Sequence, residues 1–177
     1  MTKGRSPNRP ILESVAVRLE SLLSDLVFVG GQVAELLVTD PAAVRIRPTT
    51  DVDVVVSTAS RVGYKSIEKR LVALGLRNDL SADAPICRWL TPDNLQVDVL
   101  PVDQAVLGFS NQWYWTAVER AVDYPLTDDI VIQIPTAPVF LATKWEAFIR
   151  RGEGDLLWSH DLEDIVTVVA GRAEILE

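Results

Sequence analysis

The sequence contains very little cysteine and histidine, and this scarcity excludes two kinds of site. Cys87 is the one cysteine among 177 residues, so no disulfide can form within the chain. A lone cysteine suits a reducing compartment, and we expect a cytoplasmic protein. His160 is the one histidine, and no second histidine or cysteine is spaced to complete a zinc site with it.

Basic residues and long apolar runs are also scarce. The 17 lysines and arginines are outnumbered by 25 acids, and the net charge of −8 argues against the broad phosphate-binding surface of nonspecific DNA-binding proteins. A local basic pocket remains compatible with this balance. No apolar run is long enough to span a membrane, and the first ten residues lack the apolar segment of a signal peptide. We therefore expect no membrane partner.

Length and composition favour one domain over residues 1–177, because 48% hydrophobic and 24% charged residues are typical of a globular chain. Residues 1–9 are polar and are expected to be loose, with Pro10 opening the first helix. No repeat or linker divides the rest. Apolar periodicity predicts helices over residues 11–23, 32–38, 61–74, 111–122, 138–150 and 161–170, and strands over 26–29, 51–56, 86–90, 95–101 and 130–134. The last two helices define a C-terminal helical part, residues 138–171.

Three aspartates on two predicted strands are the strongest chemical signal. Asp51 and Asp53 open a β-branched strand at i, i+2 spacing, so their carboxylates project from one face. Asp98 lies in the middle of a second strand, and pairing of the two strands would bring it within about 5 Å of the first two. Carboxylates grouped in this way hold the divalent ions of nucleotidyl transfer. The alternative is that Asp51 and Asp53 face water, while Asp98 pairs with an arginine such as Arg88.

A glycine pair between a strand and a helix gives a second signal. Gly30 and Gly31 follow the strand over residues 26–29 and precede the next predicted helix. This arrangement brings backbone amides at a helix N-terminus close to a ligand phosphate. A tight turn without any ligand is the alternative.

Together with two later segments, these motifs resemble the nucleotidyltransferase superfamily typified by DNA polymerase β. The resemblance is greatest to its AbiEii-type branch, which includes toxins of bacterial toxin–antitoxin systems. It implies an α/β (α+β) fold with a mixed sheet flanked by helices and with the C-terminal helices packed on that core. The matching segments are Val29-Gly30-Gly31, Arg47-x-Thr49-x-Asp51-Val52-Asp53, Asp98, LATKWEAF at residues 141–148 and DLEDI at residues 161–165.

The activity implied by the resemblance is magnesium-dependent transfer of a nucleoside monophosphate from an NTP, with release of pyrophosphate. Asp51 and Asp53 would bind Mg²⁺ that bridges the NTP phosphates. Asp98 would help to hold a second ion, and would align or deprotonate the attacking hydroxyl.

The same resemblance assigns residues to the nucleotide. Gly30 and Gly31 would offer backbone amides to the triphosphate, and Arg47 and Lys144 would neutralise its charge. Thr49 would either bond a phosphate or orient the loop. For Lys144 the alternative is a surface lysine beside an apolar helix stripe.

Asp161 is assigned to the active site by the resemblance, where it would orient Lys144. The alternative is that Asp161 caps the last helix, with Asp164 as its partner in a start that is similar to a capping box.

The acceptor is left open by the sequence. RNA or tRNA, a protein and a small hydroxylated molecule are all compatible with the resemblance, as is a cognate antitoxin as partner. The acidic balance fits poorly with tRNA. A second enzyme hypothesis is an antibiotic nucleotidyltransferase acting on polycationic aminoglycosides, and a third is a nucleotide-binding module without turnover.

Overall fold

A mixed sheet forms the centre of the protein, whose computed structural model describes residues 7–40, 46–151 and 159–175. Within these ranges the sheet has seven strands in the order β3-β4-β5-β2-β1-β7-β6. The β2–β5 and β1–β7 pairs are parallel, and the other pairs are antiparallel. The strands are β1 Leu26–Val29, β2 Asp51–Val56, β3 Arg77–Asn78, β4 Arg88–Leu90, β5 Gln96–Pro101, β6 Val122–Pro125 and β7 Val131–Ile134.

Helices flank the sheet, and the two C-terminal ones pack against each other. This architecture confirms the predicted α/β class with a mixed sheet. The α-helices are α1 Arg9–Arg18, α2 Gly31–Ala34, α3 Arg61–Ala73, α4 Gln104–Leu107, α5 Tyr114–Glu119, α6 Ala137–Arg151 and α7 His160–Gly171. Short 3₁₀ helices cover Glu20–Asp25, Glu35–Leu37 and Ala173–Ile175.

The two faces of the central strands have different surroundings. In β2, Val52, Val54 and Val56 belong to the main core, together with α1 and α3. Val55 lies on the opposite face, in a small cluster with Val27 of β1. Because side chains alternate along a strand, Asp51 and Asp53 share the face of Val55. The small cluster occupies only part of this face, and the acids occupy the rest.

Several predicted boundaries differ from the structure. The helix over residues 11–23 is divided into α1 and a 3₁₀ segment, and the helix over 32–38 is shorter, with only its start in α2. The prediction of a helix over residues 111–122 is wrong at its end, because Val122 pairs with Ile134 as the first residue of β6. The hairpin of β4 and β5 is confirmed, and so is Gly75 after α3, with φ +85°.

The described part of the N-terminal segment contacts the rest of the protein. Residues 1–6 of the segment that we expected to be loose lie outside the described residues. Asn8 is buried, and Arg9 already begins α1. The Arg9 guanidinium donates to Glu13 and to the carbonyl oxygen of Leu126. The looseness expected of residues 1–9 stays a prediction.

Candidate active site

Three carboxylates meet on the sheet face that carries Val55. Asp53 and Asp98 are register partners in the parallel β2–β5 pair, and Asp51 lies two residues before Asp53. One oxygen from each carboxylate lies within 4.8 Å of the other two, a group that could hold a metal ion. The predicted pairing of the two strands is therefore confirmed, and it brings the three acids together.

Arg88 of β4 lies beside this group and reduces its negative charge. Its Nε donates to Asp98 Oδ1 at 2.8 Å, and its Nη2 donates to Asp98 Oδ2 at 2.7 Å. The same Nη2 is 3.5 Å from Asp51 Oδ2. The hydrogen bond to Asp98 and the charges of both aspartates outweigh partial burial and raise the pKa of Arg88 above its ordinary value. The alternative that Asp98 pairs with Arg88 is thus observed, within the acidic cluster rather than instead of it.

The glycine pair lies directly against the acids and the neighbouring arginine. Gly30 has φ +72°, and a Cβ there would overlap the Asp53 carboxylate, lying 2.7 Å from its Cγ. A Cβ on Gly31 would lie 2.8 Å from Arg47 Nη2. At position 30, only glycine allows both the positive φ and the close approach to the Asp53 carboxylate. The backbone before α2 therefore forms one wall of the site.

The segment before β2 brings Arg47 and Thr49 to the same place. Arg47 Nη2 is 3.3 Å from both carboxylate oxygens of Asp164, and Arg47 Nε is 3.5 Å from Glu163 Oε2. Thr49 Oγ1 donates to Asp51 Oδ1 at 2.7 Å. Thr49 thus orients a carboxylate of the acidic cluster through its hydroxyl.

Lys144 of α6 lies between two acids of α7. Its Nζ is 3.1 Å from Asp161 Oδ1 and 2.7 Å from Asp164 Oδ2. Lys144 is only 8% exposed, so the alternative of a surface lysine is wrong. Burial by itself lowers the pKa of the ammonium, but Asp164, Asp161 and the more distant Asp53 outweigh burial and raise it. Lys144 is therefore held as a cation.

The start of α7 corrects one interpretation and adds a residue. The N-cap is Ser159, whose side chain accepts from the Leu162 amide, so the capping role considered for Asp161 is wrong. Asp161 and Asp164 instead face α6, because residues three apart lie on one helix side. Asp164 was not predicted as a site residue. The three-residue spacing of Asp164 from Asp161 was the one feature of the sequence that could have indicated a shared helix face. The ion pairs of Asp164 with Lys144 and Arg47 depend on the tertiary fold.

All nine predicted site residues line one cleft of about 890 Å³. Their roles stay predictions, whereas their convergence is a property of the fold. Cys87 also borders the cleft, where burial and then the charge of Asp98 raise the pKa of its thiol to about 12. The nine residues are Gly30, Gly31, Arg47, Thr49, Asp51, Asp53, Asp98, Lys144 and Asp161.

Charged side chains of both signs line the cleft, and most of the acids have a cationic neighbour. Glu146 is paired with Arg150 at 2.9 Å and accepts from the Gln112 amide, in the same way that Asp98 is paired with Arg88. Among the described lining residues the carboxylates are Asp51, Asp53, Asp98, Glu146 and Asp161, and the cations are Arg47, Arg88, Lys144 and Arg150.

Comparisons with known proteins identify the fold. No family model matches the chain, and no curated protein matches it. Among solved structures, it is similar to the crystal structure of an antigenic nucleotidyltransferase-like protein from Paracoccidioides brasiliensis, with a TM-score of 0.61 and 19% sequence identity. The match covers 92% of this chain and 75% of that one. The chain therefore has a nucleotidyltransferase-like fold, and the AbiEii-type branch stays a prediction.

Among the described residues, no helix is both long enough and apolar enough to cross a bilayer.

Proposed function

We propose that the protein is a magnesium-dependent nucleotidyltransferase, which moves a nucleoside monophosphate from an NTP to a hydroxyl of an acceptor. One observation carries the proposal, namely the convergence of Asp51, Asp53 and Asp98 beside the glycine wall of Gly30 and Gly31. The nucleotidyltransferase-like fold supports the reaction class. The AbiEii-type resemblance of the motifs supports the finer assignment.

The residues present fit a magnesium ion. Carboxylate oxygens are the ligands that Mg²⁺ prefers, and with Arg88 the three aspartates carry a formal charge of −2, which one divalent ion balances. Each oxygen of Asp98 keeps a lone pair beyond its hydrogen bond to Arg88. Asp51, Asp53 and Asp98 would hold the metal, which when bound would neutralise the charge on the reacting phosphate oxygens.

The side chains around the acids have separate roles in this proposal. Lys144 has three N–H donors, and Asp161 and Asp164 accept two of them, so the third is assigned to a phosphate oxygen of the NTP. Arg47, which like Lys144 is paired with Asp164, would neutralise the charge of the same triphosphate. Both oxygens of Asp98 already accept from Arg88, which favours a role in holding the metal over deprotonation of the acceptor.

The proposal for the acceptor rests on the sequence resemblance to AbiEii-type proteins and not on the geometry of the cleft. We propose an RNA or tRNA hydroxyl, and a cognate antitoxin as partner, by analogy with AbiEii-type toxins. A polycationic aminoglycoside is less well supported, because Asp98, Glu146 and Asp161 are already paired with cations of the chain. A module that binds nucleotides without turnover would have the same site and would differ only in the assay.

The test is a screen of the four NTPs with Mg²⁺, which follows pyrophosphate release and label transfer to total RNA, to the protein itself and to aminoglycosides. Asp53→Asn should remove nearly all transfer while the protein stays folded. Asp83→Asn, at an exposed loop position, is the matched control and should retain full transfer. Wild-type turnover in Asp53→Asn would contradict the proposal. NTP binding without label transfer would instead support the non-catalytic module.

A further inference from the structure

Side chains, not neighbouring strands, hold the backbone of residues 47–49. The carbonyl oxygen of Arg47 accepts from Asn8 Nδ2 at 2.9 Å, and the Thr49 amide donates to Asn8 Oδ1 at 3.0 Å. The carbonyl oxygen of Thr49 accepts from Gln32 Nε2 at 3.3 Å. Two amide side chains thus bond this segment just before it enters β2.

Both amides are buried and come from distant parts of the chain. Asn8 and Gln32 are each about 1% exposed, and a buried amide is costly unless it is hydrogen-bonded. Asn8 immediately precedes α1, whereas Gln32 follows the glycine wall in α2. The segment is therefore fixed from two sides of the site.

Asn8 has a position that normally serves a different purpose. It is the N-cap residue of α1, where asparagine is favoured because its side chain accepts from a helix amide. No such bond is present, and the side chain reaches a segment 39 positions away instead. The contact therefore serves the segment rather than the helix start.

We propose that Asn8 and Gln32 are positioning residues of the active site. By fixing the backbone of residues 47–49, they direct Arg47 toward Asp164 and set the Thr49 hydroxyl that orients Asp51. The inference that this orientation strengthens the binding of a metal ion and an NTP rests on the proposed function. The positioning of Thr49 and Asp51 does not depend on any ligand.

The test uses Asn8→Ser, because serine is a good N-cap but is too short to bond both Arg47 and Thr49. Exchange of the Thr49 amide hydrogen, measured by NMR on the full chain, should become at least about tenfold faster. The Mg²⁺ concentration for half-saturation and the KM for NTP should rise by about tenfold, while kcat at saturation changes by less than about threefold. Ser60→Ala, which removes the N-cap bond of α3 to Gly63, is the matched control and should change none of these values by more than about twofold.

Gln32→Met guards against loss of folding in the first variant. Within the described chain Gln32 Oε1 is buried without a hydrogen-bond partner, so methionine removes an unsatisfied atom along with the bond to Thr49. Gln32→Met should also raise the Mg²⁺ concentration for half-saturation and the KM for NTP. Unchanged values in both variants would overturn the proposal. If the wild type binds neither Mg²⁺ nor NTP, the proposed function fails, and the Thr49 exchange rate and the carboxyl ¹³C shift of Asp51 still decide the positioning role.

Discussion

Replacement of Lys144 by methionine tests the contact between α6 and α7 most directly. Methionine has a similar length and no charge, so Lys144→Met leaves Asp161 and Asp164 in place without their ammonium partner. Asp164 keeps Arg47 at 3.3 Å, whereas Asp161 loses its contact with Nζ at 3.1 Å. The variant therefore leaves two buried carboxylates without the ammonium that pairs with both of them.

The expected loss follows from these distances. At 2.7 and 3.1 Å, with an effective dielectric constant of about 20, each ion pair has a gross Coulomb energy of roughly 5–6 kcal/mol. Desolvation offsets much of this, and removal of one partner of a buried pair typically costs about 3–5 kcal/mol. Because Arg47 still compensates Asp164, we expect about 3 kcal/mol. For a domain near this size, that corresponds to a fall in Tm of about 6–12 °C.

Thermal unfolding followed by circular dichroism, with NTP binding measured in parallel, is the assay. Lys69→Met, at an exposed position of α3, is the matched control and should lie within about 0.5 kcal/mol of the wild type. In Lys144→Met/Asp161→Asn one of the two carboxylates that lost the ammonium is replaced by a neutral amide, so part of the lost stability should return. Equal melting of Lys144→Met and Lys69→Met would refute the reasoning.

The pH dependence gives an independent check on the same cation. The folded-state pKa of Lys144 is raised above its unfolded value of about 10.4, so its contribution to stability is fully present below that pH. The contribution is lost as pH rises through the folded-state pKa. Wild type should therefore lose stability above about pH 10.5 more steeply than Lys144→Met, and a constant difference between the two up to pH 12 would contradict this.

Three further predictions concern the glycine wall, the acids and Cys87. Gly30→Ala should have a melting temperature well below that of Gly108→Ala. Both glycines have positive φ, but a Cβ at Gly30 would overlap Asp53, whereas a Cβ at Gly108 meets no described atom within 4 Å. Similar melting temperatures would contradict the close approach of Gly30 to Asp53. Mg²⁺ at about a hundredfold excess over its Kd should stabilise the wild type by about 2.7 kcal/mol and Asp98→Asn by less, and equal shifts in calorimetry would remove Asp98 from the metal site. Cys87 should resist a disulfide-exchange reagent at pH 8 until the protein unfolds, because its thiol pKa is about 12; rapid labelling of the folded protein would be the opposite result.

The strands of the site were predictable because their pattern is local. Alternation of acids and valines predicted that Asp51 and Asp53 share a face, and a valine-flanked Asp98 indicated a second strand of the same kind. The glycine pair marked the turn before α2. These features need only the periodicity of a strand and the conformational freedom of glycine.

The partners of these residues were not predictable in the same way. Asn8, Gln32 and Asp164 contact residues between 17 and 117 positions away, and no local pattern distinguishes such residues from a cap, a helix position or a surface acid. In the sequence, Lys144 is likewise a lysine beside the apolar stripe of α6, and its burial depends on the packing of α7 against α6. The roles of these residues depend on which distant segment of the chain packs against them. That packing cannot be read directly from a single sequence.

The parallel pairing of β2 with β5 has a consequence for how the chain tolerates length changes. Asp53 faces Asp98 in register, and the residues beside each of them point into the main core. Insertion or deletion of one residue just after Asp53 would turn Asp51 and Asp53 toward that core and Val52 away from it, since strand periodicity is two. Residues 80–83, which lie between β3 and β4 and are all exposed, have no such register to keep. Natural or engineered length variation should therefore accumulate there, while β2 and β5 accept substitutions only.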